Sequence, residues 1–157
     1  MPNFTTPQLS KFIHSAAATT YAGGGSYENN PERPGFLELV FEEGDWNYRD
    51  SYTGFYRSSG SEVVRYKGKI VWASNYCGGM AKGVEAMAST TFDFLKKAML
   101  AKPDWSFRGP DHFDNGKYEY TYQQRGDVLS FSGYEEIKQA GVPIFSHEII
   151  GGVIIDK

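Results

Sequence analysis

SGSEVVRYKGKIVWASNYCGG, Ser59 to Gly79, and SGYEEIKQAGVPIFSHEIIGG, Ser132 to Gly152, are the two stretches on which the fold turns. Laid over each other without a gap, at an offset of 73 residues, they pair Ser59 with Ser132, Gly60 with Gly133, Glu62 with Glu135 and Gly68 with Gly141. They close together on Gly78-Gly79 and Gly151-Gly152, with Val64 opposite Ile137, Val71 opposite Ile144 and Trp72 opposite Phe145. Each reads as two β-branched, aromatic-rich strands around a short glycine turn, Lys67-Gly68 in the first case, which is the pattern of a tight hairpin. Fixed-offset self-similarity points to duplication. Eighteen glycines and two hairpins of equal turn length offer the competing explanation of chance resemblance.

Working outward, GDWNY at Gly44 resembles GKYEY at Gly116 after a one-residue slip, and a helical pattern precedes each copy. In the first, Thr6-Pro7 reads as a cap with proline at the first helical position. Leu9, Phe12, Ile13, Ala16 and Thr20 then fall on one helical face. In the second, Val84, Met87, Ala88, Thr91, Phe94, Leu95 and Ala98 form a stripe between Lys82 and Ala101, ended by Pro103. FLELVFEE reads as a strand with Leu37, Leu39 and Phe41 inward and Glu38 and Glu42 outward. Trp46, Tyr48, Asp50 and Tyr52 share one face of the next strand, and Tyr118, Tyr120 and Tyr122 share one face of a later one. Strands joined by short turns are antiparallel. The expected fold is therefore α+β: two helices packed on a curved antiparallel sheet, in pseudo-repeated helix-plus-meander halves. Residues 1–157 are expected to form a single domain, with half-repeats over 5–79 and 82–154 meeting about a pseudo-twofold axis and leaving a cleft along the join.

The 157 residues suit one domain with its own core. A net charge of −3 supplies no pull toward nucleic acid or an anionic membrane. The N-terminus lacks the basic start and apolar run of a signal peptide, and no apolar stretch reaches the ~20 residues of a membrane span. Cys77 is the only cysteine, so no internal disulfide is implied. It sits at a strand end, and the expectation is a small buried apolar role. These features together lead us to expect a cytoplasmic protein.

The runs FEEGDWNYRDSYTG, EVVRYKGKIVWASNYCGG and RGPDHFDNGKYEYTYQQRGDVLSFSGYEEI resemble an uncharacterised bacterial domain of unknown function. The resemblance covers most of positions 5 to 154 and rests on the EEGDW-x-YRDSY-x-G run. That domain occurs standalone or C-terminal to helix-turn-helix regulator modules, which implies, by analogy alone, a sensor of small ligands.

The unusual component is the aromatic share, 16%, with 11 tyrosines. Trp46, Tyr48, Asp50, Tyr52, Glu62, Trp72, Tyr118, Tyr120 and Glu135 form the candidate ligand-binding set. Aromatic walls with a few placed carboxylates suit an aromatic or cationic small molecule. The same residues also fit cross-strand aromatic ladders in a core. Asp111, His112 and Asp114 lie in a turn-rich loop with no second ligand cluster, so no metal and no cofactor is expected. His14 reads as a helix-boundary residue. His147 and Glu148 are strand neighbours that point to opposite faces. The leading expectation is a small-molecule-binding, sensor-like domain with no nucleic-acid or membrane partner. The alternatives are a small hydrolase-like enzyme using Asp50, Glu62 or Glu135 as acid or base, and a protein-interaction domain, with a homodimer as one form.

Overall fold

The computed structural model describes residues 3–157; Met1 and Pro2, within the expected 1–157 domain, lie outside the described residues. The first helix, α1, spans Thr6–Thr19. Thr5, not Thr6, is its cap. The Thr5 side chain accepts from the Gln8 backbone while the Gln8 side chain accepts from the Thr5 backbone, closing a capping box with proline in the first turn. Leu9, Phe12, Ile13 and Ala16 are its buried stripe.

Four strands follow: β1 Leu37–Glu43, β2 Trp46–Thr53, β3 Arg57–Tyr66 and β4 Lys69–Met80. The second helical segment begins later than its apolar stripe suggests. Gly83 adopts a left-handed φ of 92°, and its N–H donates to the Glu85 side chain. A 3₁₀ turn over Glu85–Met87 then leads into α2, Ala88–Leu100. Strand β5, His112–Asp114, is short. It precedes β6 Tyr118–Asp127, β7 Ser130–Gln139 and β8 Val142–Val153.

All eight strands form one curved antiparallel sheet in the order β1-β2-β3-β4-β8-β7-β6-β5. Two four-strand meanders thus meet at the β4–β8 seam, each preceded by a helix. α1 packs on β1 and β2, and α2 packs on β6. The correspondence extends to backbone detail. Lys67 and Ala140 share φ 49°, and Gly68 and Gly141 share φ 78°. Two left-handed residues in sequence make the turn whose twist suits a hairpin. Each hairpin also carries a register shift at the same place, Val64/Arg65 in one and Ile137/Lys138 in the other.

The inner sheet face and the helices enclose the core, where Tyr48, Val64, Trp72, Tyr120, Tyr122 and Ile137 are fully buried. Three expectations differ from the structure, the first being Leu37, expected inward, which is exposed at the start of β1. Glu38, expected to face solvent, is fully buried, because the 26–36 segment folds over that end of the sheet. Glu38 accepts from the Glu32 backbone, Ser51 and Arg49. Cys77, expected to be buried, is exposed: the alternation from Trp72 to Cys77 along β4 turns Tyr76 inward and Cys77 outward. Neither helix is long and apolar enough to cross a membrane.

Candidate functional site

A cavity of about 250 Å³ lies between α2 and the inner sheet face, above the β4–β8 seam. Aromatic walls come from Tyr21, Tyr52, Phe92 and Phe145, and the polar surface from Asp50, Arg108, His147 and Ser58. Near the mouth, the Tyr27 and Tyr52 hydroxyls bond each other, and Tyr21 meets the Tyr52 ring edge-on at 6.1 Å. Lys96, half-buried, holds its ammonium 5.0 Å from the centre of the Tyr21 ring.

The polar surface is built by strand register. Alternation along β2 sends Tyr48 and Asp50 inward, and Asp50 is paired with Glu62 on β3. Asp50 is 5% exposed. Its Oδ1 accepts from the Tyr76 hydroxyl at 2.8 Å, while Oδ2 accepts from no protein group among the described residues. Burial, and next the Glu62 charge, push the Asp50 carboxyl up to about 7, against the opposing pull of Tyr76 and Arg108.

Across the seam, Glu135 on β7 is paired with His147 on β8. Glu135 Oε1 accepts from Arg108 Nε at 2.8 Å and lies 3.0 Å from His147 Nδ1. Its Oε2 accepts from the Tyr120 hydroxyl at 2.8 Å. Burial alone would raise this carboxyl. Arg108 and the histidine outweigh burial and hold it down at about 2. Desolvation lowers the His147 pKa below its usual range, opposed by Glu135, so the imidazole is neutral at pH 7. Nδ1 lies between an acceptor-only carboxylate at 3.0 Å and the donor-only Arg108 Nη2 at 3.2 Å, and the shorter, charge-assisted contact to Glu135 favours the tautomer with the proton on Nδ1. The other tautomer would set an Nδ1 lone pair against a carboxylate oxygen. His147 Nε2, left as an acceptor, receives the Ser58 hydroxyl at 3.1 Å.

The residues expected from the sequence are distributed unevenly. Asp50 and Tyr52 line the cavity. Tyr48–Glu62 and Tyr120–Glu135 are hydrogen-bonded pairs set one contact back from it. Trp46 packs against Phe4, Phe12 and Tyr66. Trp72 stacks on Phe131 and donates its indole N–H to the Val128 carbonyl. Tyr118 packs against Phe94 and bonds Thr90.

Sequence reasoning passed over Ser58, Tyr76 and Arg108, and set His147 aside as the strand neighbour of Glu148. His147 has a signal in hindsight: it shares the inward phase of β8 with Phe145 and Ile149. Arg108 has none, since it sits in an irregular loop. That loop packs on His14, whose ring nitrogens lie 2.7 Å from the Ser10 and 2.8 Å from the Ser106 carbonyl oxygen. His112 is half-exposed, 3.9 Å from Asp114 and 3.7 Å from Glu119. Among the described residues no group of three or more His, Cys, Asp or Glu side chains gathers to hold a metal.

A family model described as "Domain of unknown function (DUF5680)" matches residues 50–154, and the chain belongs to that family. The match takes in the cavity's polar residues from Asp50 to His147. No curated protein and no solved structure matches the chain.

Proposed function

We propose that this member of the DUF5680 family binds a small molecule carrying a protonated amine beside an aromatic or apolar body, with Asp50 as the counter-ion. The observation that carries the reading is the free Oδ2 of a buried carboxylate that borders an aromatic-walled cavity. Arg108 does not fill that role, because Glu135 already neutralises it at 2.8 Å. An entering ammonium supplies the charge that Asp50 lacks, and the tyrosine faces favour it further through their quadrupoles. The volume suits a ligand of the size of an aromatic amine.

The test is a thermal-shift series with phenethylammonium and tryptammonium, against the neutral alcohols of the same shape. The amines should stabilise the protein and the alcohols should not. Affinity should fall about tenfold per pH unit below pH ~7, as Asp50 takes up a proton. Asp50→Asn should abolish the amine effect; an unchanged shift in that variant would place the site elsewhere.

We further propose that residues 5–79 and 82–154 are duplicated halves of one domain and that the role is sensor-like and cytoplasmic. The matched turn dihedrals and register shifts support the duplication.

A further inference from the structure

One row of residues crosses four strands. Ser58 on β3 pairs with Gly78 on β4, Gly78 with His147 on β8, and His147 with Glu135 on β7. Ser58 and His147 are therefore two strands apart, roughly 10 Å between backbones, too far for ordinary neighbours to touch. Gly78 makes the contact possible. A Cβ there would stand 2.8 Å from His147 Cδ2 and 2.1 Å from the Ser146 carbonyl oxygen. With no side chain in the gap, the imidazole lies across β4 and reaches the Ser58 hydroxyl.

On the basis of the binding reading above, we propose that Ser58, His147 and Glu135 form a nucleophile–base–orienter relay that hydrolyses a carboxylic ester of an amine-bearing small molecule in this cavity. With the proton on Nδ1, the tautomer that the Glu135 contact favours, the donors run in the required direction: Ser58 Oγ–H to Nε2, and Nδ1–H to Glu135. Ser58 and His147 both line the cavity, and Ser58 has no other side-chain hydrogen bond among the described residues. Glu135 is a positioning residue, fixed in turn by Arg108 and Tyr120. Arg108 Nη1 has no protein partner among the described residues and supplies an N–H donor beside the developing oxyanion, although the charge of the guanidinium is balanced by Glu135.

In the first half-reaction, Ser58 Oγ bonds to the carbonyl carbon while its proton passes to His147 Nε2. The bond to the leaving alkoxide breaks, and the alkoxide takes that proton. Water then attacks the acyl-serine and gives a proton to Nε2. The Oγ–acyl bond breaks, Oγ recovers the proton, and the products are a carboxylic acid and an alcohol.

The deciding experiment treats the full-length protein with a fluorophosphonate, which reacts with activated serines and carries no amine. A single adduct should form, mapped to Ser58 by peptide mass spectrometry. S58A should abolish it, and His147→Gln should slow it at least ~100-fold. Circular dichroism would check that both variants fold. The labelling rate should rise with pH through a single step as His147 loses its proton. Aminoalkyl esters should turn over in the wild type and not in S58A. If the folded protein takes up no adduct at Ser58 and turns over no ester, the relay is wrong, even where the Asp50-dependent amine shift survives. An adduct whose rate is the same in His147→Gln, or shows no pH step, also overturns it. Labelling of Ser58 in a protein that ignores amines would support the relay and remove the Asp50 reading instead.

Discussion

The two halves of the sheet carry the same cross-strand row with different occupants. In one row Glu62, Ser74, Gly151 and Phe131 follow one another across β3, β4, β8 and β7. In the other, Glu135, His147, Gly78 and Ser58 hold the equivalent places in the opposite order. Both keep a Glu bonded by a tyrosine hydroxyl, Tyr48 in the first and Tyr120 in the second. Both keep a glycine gap. In the first row the gap is closed from the far side by Phe131, which a Cβ on Gly151 would meet at 2.7 Å, and the short Ser74 hydroxyl simply caps Glu62. In the second row the filler is His147, and a small polar Ser58 stands where Phe131 does. The scaffold is one design; two exchanges, Ser for His and Phe for Ser, turn a packed row into a polar one that opens on the cavity. Arg108 reaches only the second row, so among the described residues Glu135, and not Glu62, has a cation within bonding distance.

The largest break between the halves should come from that cation. Arg108→Leu leaves Glu135 charged and buried with no counter-ion, bonded only by Tyr120 and His147, and should cost about 3–5 kcal/mol in urea unfolding. Glu62→Gln, in the row without a cation, should cost only about 1 kcal/mol, because an amide oxygen still accepts from Tyr48 or Ser74. Equal losses would show that the rows are energetically alike.

The next effect concerns Asp50, whose place in the second half is taken by Tyr122. A carboxyl raised in the folded state from 3.8 to about 7 binds its proton more tightly folded than unfolded. Its contribution is fully present below pH ~4 and is lost as pH rises through ~7, so wild-type stability should decline over that window. Asp50→Asn should flatten the decline and be more stable than wild type at pH 8 by about 2–4 kcal/mol, read from urea curves at pH 5 and pH 8. A decline that persists in the variant would assign the titration to another group.

The smallest effect tests sameness instead of difference. Lys67 and Ala140 sit at the first left-handed turn position, where a Cβ-bearing residue other than Asn or Asp is strained. Lys67→Asn and Ala140→Asn should each raise stability by about 0.5–1 kcal/mol, and by the same amount within error. Unequal gains would mean that the matched dihedrals conceal different surroundings.

Much of the fold was legible because it is written in local periodicity. The α1 stripe, the Lys67-Gly68 turn, the shared face of Tyr48 and Asp50 and the equivalence of Glu62 with Glu135 can all be read along the chain. Glu38 and Cys77 were misread where alternation competes with composition. Glu38 is inward-facing relative to a loop that packs on the other side of β1. Cys77 follows the strand phase and not its own hydrophobicity. The site was half legible: the offset of 73 singled out two carboxylates, but not Arg108, which no periodic pattern places.

By itself, then, the sequence determined the class of fold, the two hairpins, their turns and which residues of a strand share a face, since those depend on neighbours along the chain. Only the tertiary structure decided which two hairpins share a seam. It also decided that His147 crosses the gap at Gly78 to Ser58, and that a loop arginine meets Glu135. Those contacts join residues up to 89 positions apart, and their partners are set by strand order and loop packing, which no local pattern encodes.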